Sequence, residues 1–195
     1  MSIPMNRESV KSDEEYACVL WLQEAVRHNL VEMWEYEPKT FVLLEGQTYQ
    51  ETIQMKTKEK TVERRLHQEA TYTPDFMLSL TESGLRCLYG AFKPSLLAES
   101  SRWVPYEQIW IDIKGTYNPY QNDQRFFSLI QKIMYDKHGI WVPKIVPFYK
   151  KNGKAKGLFA ETFAPESLRW MKRGGLNACG RSCVGIEEFI DGATK

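Results

Sequence analysis

The sequence predicts a mixed α/β core of about 150 residues carrying a basic C-terminal elaboration. Two observations predict it. Apolar residues recur at helical spacing near the N-terminus and again over 123–138, with short β-prone runs between them. Residues 109–148 also read as strand, helix and strand, the pattern of a parallel crossover. The order is helix, strands, strand, helix, strand. The core spans 1–150 with 82–107 as an insertion, and 151–195 forms a basic extension packed on it. No internal repeat or interdomain linker interrupts this pattern.

Residues 1–11 read as a frayed leader. Ser12 and Glu15 have capping-box spacing, because hydroxyl and carboxylate can both satisfy free N–H groups at a helix start. Tyr16, Val19, Leu20, Leu22, Ala25 and Val26 follow at helical spacing and predict a helix over 12–29. Trp34, Tyr36 and Phe41–Leu44 read as extended chain interrupted by Pro38, and Tyr49–Met55 alternates weakly as a further strand. The Lys- and Glu-rich stretch 56–65 reads as an exposed turn or hairpin tip. Tyr72–Leu78 predicts a strand whose Pro74 suits its start or an edge. Gly84, Gly90, Pro94 and Pro105 mark 82–107 as an insertion or long loop. Ile109–Ile113 is strongly β-prone, and Lys114-Gly115 ends it. Phe126, Phe127, Ile130, Ile133 and Met134 form the apolar side of a helix over 123–138, which Gly139 stops. Ile140–Phe148 is then a strand, Asn152-Gly153 turns a basic hairpin, and Glu166–Lys172 is a short helix.

With 43% hydrophobic and 13% aromatic residues in 195, the chain is not wholly disordered. No apolar run approaches the roughly 18 residues of a membrane span, and no signal-peptide pattern opens it. Cys18, Cys87, Cys179 and Cys183 are too scattered for a disulfide framework, which points to a reducing, cytoplasmic setting. The net charge of +1 argues against nucleic acid until it is divided. Residues 1–55 carry −6, whereas 144–181 carry +7. Such a basic block can release counterions from a phosphate backbone, although basic clusters are often only solvated surface.

The chemistry concentrates in Pro74-Asp75 and Asp112-Ile113-Lys114. Residues two apart on a strand share a face, so Asp112 and Lys114 project together. With Asp75 on a neighbouring strand, two carboxylates and an ammonium meet. Asp75, Asp112 and the Ile113 carbonyl are hard oxygen ligands suited to Mg²⁺ or Mn²⁺, which would polarise a phosphodiester and acidify water. Lys114 would orient or deprotonate that water, or neutralise charge on the phosphorane. Glu15 on the first helix completes the site, with Glu14 and Glu24 as alternatives. Taken singly, these features have plainer readings: Asp-x-Lys as a surface ion pair, Pro-Asp as turn chemistry, Glu15 as a helix cap.

Together, Pro74-Asp75 and Asp112-x-Lys114 match the PD-(D/E)XK nuclease signature, and the chain resembles the phage endonuclease I type of Holliday-junction resolvase. Ser12–Glu15, Trp34-Glu35-Tyr36-Glu37, Thr71–Phe76 and Asp112–Gly115 with Asn122–Arg125 carry the resemblance. It extends loosely to Ile145–Phe148 and Phe159–Trp170. It implies a restriction-endonuclease-like core and an Mg²⁺-dependent endonuclease, with Mn²⁺ substituting, that cuts branched DNA in the host cytoplasm as an intertwined homodimer. Glu15, Asp75, Asp112 and Lys114 map onto its active site. The chain departs from the family in having aspartate at 112, where glutamate is frequent, and in placing 82–107 where resolvases have a tight turn.

DNA contacts fall on Lys150, Lys151, Lys154 and Lys156 of the basic hairpin, on Arg125 and Lys132 of the helix after the catalytic strand, and on Arg64 and Arg65. His67 could add a phosphate contact, while His28 and His138 read as surface or packing residues. Trp170, beside Lys172 and Arg173, could stack on an unpaired base. Cys179 and Cys183 lack the further ligands of a zinc site. Two other functions remain open. One is a sequence-specific homing, restriction-type or single-strand nuclease; the other is an inactive DNA-binding protein that keeps the fold. An intact acid–acid–lysine set counts against the second.

Overall fold

The computed structural model describes residues 6–100, 108–115, 122–169 and 183–193. In chain order they form α1 (Asp13–Arg27), β1 (Val31–Tyr36), β2 (Phe41–Leu44), β3 (Gln47–Gln54), β4 (Glu59–His67), β5 (Ala70–Tyr72) and β6 (Phe76–Leu80). There follow α2 (Glu82–Ser100), β7 (Ile109–Ile113), α3 (Asn122–His138), β8 (Lys144–Ile145), β9 (Tyr149–Lys151) and β10 (Lys154–Lys156). The chain closes with α4 (Leu158–Glu161), α5 (Glu166–Arg169) and α6 (Ile186–Ala193). The architecture is mixed α/β. No helix among the described residues is long and apolar enough to cross a membrane.

The central sheet has the order β1-β6-β7-β8. β1, β6 and β7 run antiparallel, and β8 joins β7 in parallel after the α3 crossover. Every residue of β6 and β7 is buried, as two-sided covering requires. Phe76, Leu78 and Leu80 with Ile109, Ile111 and Ile113 meet Ala17, Val19, Trp21 and Leu22 of α1 in one core. Met77 and Trp110, on the opposite face by strand alternation, join Phe41, Phe127 and Met134 in a second. Helices therefore cover one face, while α3 and the β2–β5 pair cover the other.

The C-terminal segment is part of the first core. Trp21 is fully buried and stacks on Phe163 with centroids 5.1 Å apart, and its Nε1 donates to Thr162 Oγ1 at 3.1 Å. Leu158, Phe159, Leu168 and Ile186 pack in the same cluster. An aromatic ring of this size removes roughly 150–250 Å² from water, so these contacts stabilise the fold by several kcal/mol.

Several expectations are corrected. The 82–107 stretch is helical to Ser100, and 101–107 lie outside the described residues. Leu85, Leu88 and Phe92 recur at helical spacing into the core, and Thr81 Oγ1 accepts from Gly84 N at 3.0 Å to start the helix. Gly84 is no breaker: a Cβ there would stand 1.8 Å from Leu30 O, so glycine permits the close approach of α2 to the α1–β1 turn. Tyr72–Leu78 is not one strand. Pro74 and Asp75 link β5, which pairs with β2, to β6 of the central sheet. The 59–65 stretch is strand rather than turn, with the tip at Met55–Lys58, where Met55 N donates to Lys58 O. Only Lys144–Ile145 of the 140–148 strand joins the sheet.

Phe126 is 66% exposed, so it does not belong to the apolar side of α3. Residues 6–11 are ordered by a 3₁₀ turn at Arg7–Ser9 that Asn6 caps, whereas 1–5 lie outside the described residues. The helix over 166–172 is seen as Glu166–Arg169, its remainder being outside them. Asn152 and Gly153 do turn the β9–β10 hairpin, with positive φ at both, as a type I′ turn requires.

Candidate active site

Strand register brings the two aspartates together. β6 and β7 pair with Phe76 opposite Ile111, which sets Asp75, just before β6, across from Asp112. Ile113 N donates to Asp75 Oδ2 at 2.6 Å, and Glu37 N donates to Asp75 O at 2.8 Å. Asp112 is 3% exposed, and the Tyr72 hydroxyl donates to its Oδ2 at 2.7 Å. Lys114 Nζ forms an ion pair with Asp112 Oδ1 and lies 5.9 Å from the centre of the Phe127 ring. Apart from that ion pair, the buried oxygen has no hydrogen-bond partner among the described residues.

The electrostatics follow from this crowding. Burial, then the charge of Asp112, push the Asp75 carboxyl up to about 7, against the pull of the Ile113 amide and Lys114. Glu15 adds to the upward push. Burial and the Asp112 charge hold the Tyr72 phenol well above its ordinary value, so Tyr72 stays a donor.

Glu15 occupies the first turn of α1 and is 7% exposed. Ser12 Oγ accepts from Glu15 N at 3.1 Å, the expected half of the capping box. The other half closes one residue outward: Glu15 Oε2 accepts from Lys11 N at 2.9 Å and from the Tyr36 hydroxyl at 2.7 Å. Lys11 Nζ pairs with Glu37. That hydrogen bond, with the charges of Glu37, Glu15 and Asp75, holds the ammonium above its ordinary value. Of the alternatives to Glu15, Glu14 lies against Gly115, where a Cβ would stand 2.7 Å from its Oε1. Glu24 is drawn elsewhere, accepting from Glu166 N at 3.0 Å at the start of α5.

Among the described residues, no group of three or more His, Cys, Asp and Glu is placed to hold a metal ion. What the fold assembles is the Asp75–Asp112 pair with Lys114, and Glu15 within electrostatic reach. Lys132, Lys150, Lys151, Lys154 and Lys156 are exposed on α3, β9 and β10. Arg64 and Arg65 are exposed on β4, with Arg64 paired to Glu51 at 2.8 Å. Arg125 lies on α3, but its side chain falls outside the described residues, as do Trp170, Lys172, Arg173 and Cys179. Cys183 is buried in the core, and His138 packs on Phe41 with Nε2 3.3 Å from Val42 O.

Tyr36, Tyr72 and Lys11 are the site residues that sequence reasoning missed. The available signal was positional, since Tyr36 and Tyr72 each end a strand and carry a polar tip there. No family model, curated protein or solved structure matches the chain.

Proposed function

We propose that the protein is an Mg²⁺-dependent DNA endonuclease of the PD-(D/E)XK type that acts on branched DNA as a homodimer. The observation that carries this reading is the opposition of Asp75 and Asp112 across β6 and β7, with Lys114 paired to Asp112. The chain order α1, β1, β6, β7, α3, β8, with the sheet order β1-β6-β7-β8, supports a restriction-endonuclease-like core.

The donor set fits a hard divalent cation. Buried Asp112 and half-buried Asp75 face a single ammonium, and burial together with the Asp112 charge pushes Asp75 toward its neutral form. Mg²⁺ binds through one or two carboxylates and keeps several waters, so the pair suffices. Asp75, Asp112 and the Ile113 carbonyl would hold it, with Glu15 or Glu14 contributing from α1. When bound, the ion polarises the phosphodiester and stabilises the leaving oxygen.

The chain's own groups supply the remainder. Lys114 carries its ammonium beside the carboxylates, where it orients the attacking water and offsets negative charge growing on the phosphate. Tyr72 holds Asp112 in one orientation, and Tyr36 with Lys11 N holds Glu15. Lys132, Lys150, Lys151, Lys154 and Lys156, with Arg125 and Arg65, contact the sugar–phosphate backbone, while Arg64 is held by Glu51. Cleavage leaves 5′-phosphate and 3′-hydroxyl ends.

The test is a panel of labelled four-way junctions, linear duplexes and single strands with Mg²⁺. Junction cleavage is expected for the native chain. It should vanish in Asp75→Ala and in Lys114→Ala, while junction binding in Ca²⁺ survives. Cleavage undiminished by either change overturns the assignment. Equal cutting of linear duplex removes the branched substrate but leaves the chemistry.

A further inference from the structure

We infer that the β3–β4 ribbon is an arm that grips duplex DNA beyond the cut, with Lys56, Lys58 and Lys60 at its tip on the phosphate backbone; this rests on the nuclease reading above. β2 pairs with β5 and β3 with β4, so 41–54 and 59–72 form one ribbon in two halves. The inner half is anchored. Phe41 meets the Trp110 ring edge-on at 5.1 Å, and Tyr72 reaches Asp112. At the joint the register shifts and the strands crowd, since a Cβ on Gly46 would stand 3.1 Å from Glu69 N.

Beyond the joint no residue from Gln47 to Glu69 is buried. An isolated two-stranded ribbon is only marginally stable in water, so bare faces along its whole length point to a partner. Eight residues of β3 extend it by roughly 25 Å. A two-stranded ribbon has the width that the DNA major groove admits. Thr48, Gln50, Thr52 and Gln54 alternate along one face of β3 and offer it donors and acceptors.

Charge selects the partner. No acid lies between Thr52 and Lys58, Glu59 stands between Lys58 and Lys60, and none of Lys56, Lys58 and Lys60 makes an ion pair among the described residues. Arg65 is exposed further down β4, whereas Arg64 is taken up by Glu51. Three unpaired ammonium groups within five residues suit a polyanion, whereas a second copy would bring the same three against them. A 25 Å reach corresponds to about 7 base pairs at about 3.4 Å each. The arm therefore acts only on DNA that continues that far.

The experiment compares the full-length chain with Lys56→Glu/Lys58→Glu/Lys60→Glu, by fluorescence anisotropy in Ca²⁺. Junctions with 5- and 20-base-pair arms are titrated between 50 and 200 mM salt. The triple variant should bind the long-armed junction at least 10-fold more weakly. Its slope of log K against log salt should be shallower by about 2.7, at about 0.9 for each phosphate contact. Binding of the short-armed junction should change less than two-fold, and melting curves should coincide. Unchanged long-arm affinity, or equal loss on both lengths, overturns the inference while leaving cleavage by the native chain to support the nuclease reading. If the native chain binds no DNA, that reading has failed first. Should Ile53→Lys turn a native dimer into a monomer while the lysine variant keeps its DNA affinity, the arm serves a second copy and the inference is wrong.

Discussion

Removing the Asp75 charge should stabilise the metal-free protein while abolishing its activity. Asn at 75 keeps an oxygen to accept from Ile113 N, so the perturbation is electrostatic. The folded carboxyl sits at about 7 against an ordinary 3.8, because burial and Asp112 oppose its ionisation. Below about pH 3 folded and unfolded chains are both protonated, and the native residue costs nothing. As the pH rises through 3.8 the unfolded chain releases its proton while the folded chain retains it, so stability falls until the folded carboxyl ionises near 7. The gap corresponds to at most about 4 kcal/mol at about 1.36 kcal/mol per pH unit, and solvent screening trims it to about 2–3. At pH 8 with EDTA, Asp75→Asn should therefore melt about 5–10 °C above the native chain, and the difference should be small at pH 4 and vanish by about pH 3. Thermal melts across about pH 3–8 measure this directly. Added Mg²⁺ at about 100 times its dissociation constant should raise the native chain by about 2.7 kcal/mol and leave the variant unmoved. A variant less stable at pH 8, or a gap independent of pH, refutes the reasoning.

Three further outcomes follow from the same geometry. Tyr72→Phe removes the hydrogen bond to a buried carboxylate oxygen and should weaken Mg²⁺ affinity or cleavage about 10–100-fold, read by titration of the ion against rate. Gly84→Ala forces a methyl against Leu30 O and should cost at least about 2 kcal/mol in urea unfolding with no change in the denaturant slope. Trp21→Ala should cost about 3–5 kcal/mol, since it removes the ring that joins α1 to Phe163 and Thr162; a loss under 1 kcal/mol would show that the C-terminal segment is dispensable to the core.

The parts of this structure that were legible in the sequence are those in which local pattern and tertiary burial agree. α1 and α3 carry clear periodicity and bury the stripe they advertise, apart from Phe126, while β7 is a continuous β-prone run buried on both faces. The pairing of Asp112 with Lys114 followed from strand alternation alone. Asp75 came with it only on the assumption that its strand was the neighbour, which no local rule supplies. α2 was missed because glycine and proline outweighed Leu85, Leu88 and Phe92; yet Gly84 marks a close packing contact, which a sequence cannot distinguish from flexibility. β4 was missed for the opposite reason, since a strand bare on both faces has no hydrophobic face to alternate. Tyr36 and Tyr72 act through a single terminal oxygen, and what that oxygen reaches is decided by contacts between separate elements.

The location of α2 has a consequence for what sets the geometry of the site. Asp75 stands at the first end of β6 and Asp112 at the last end of β7, while the chain leaves β6 and re-enters β7 at their opposite ends. The covalent path between the two aspartates thus turns as far from them as the strands allow. The spacing of the two aspartates is set by strand pairing and not by the length of the connection, which is constrained instead where Leu88 and Phe92 of α2 enter the core.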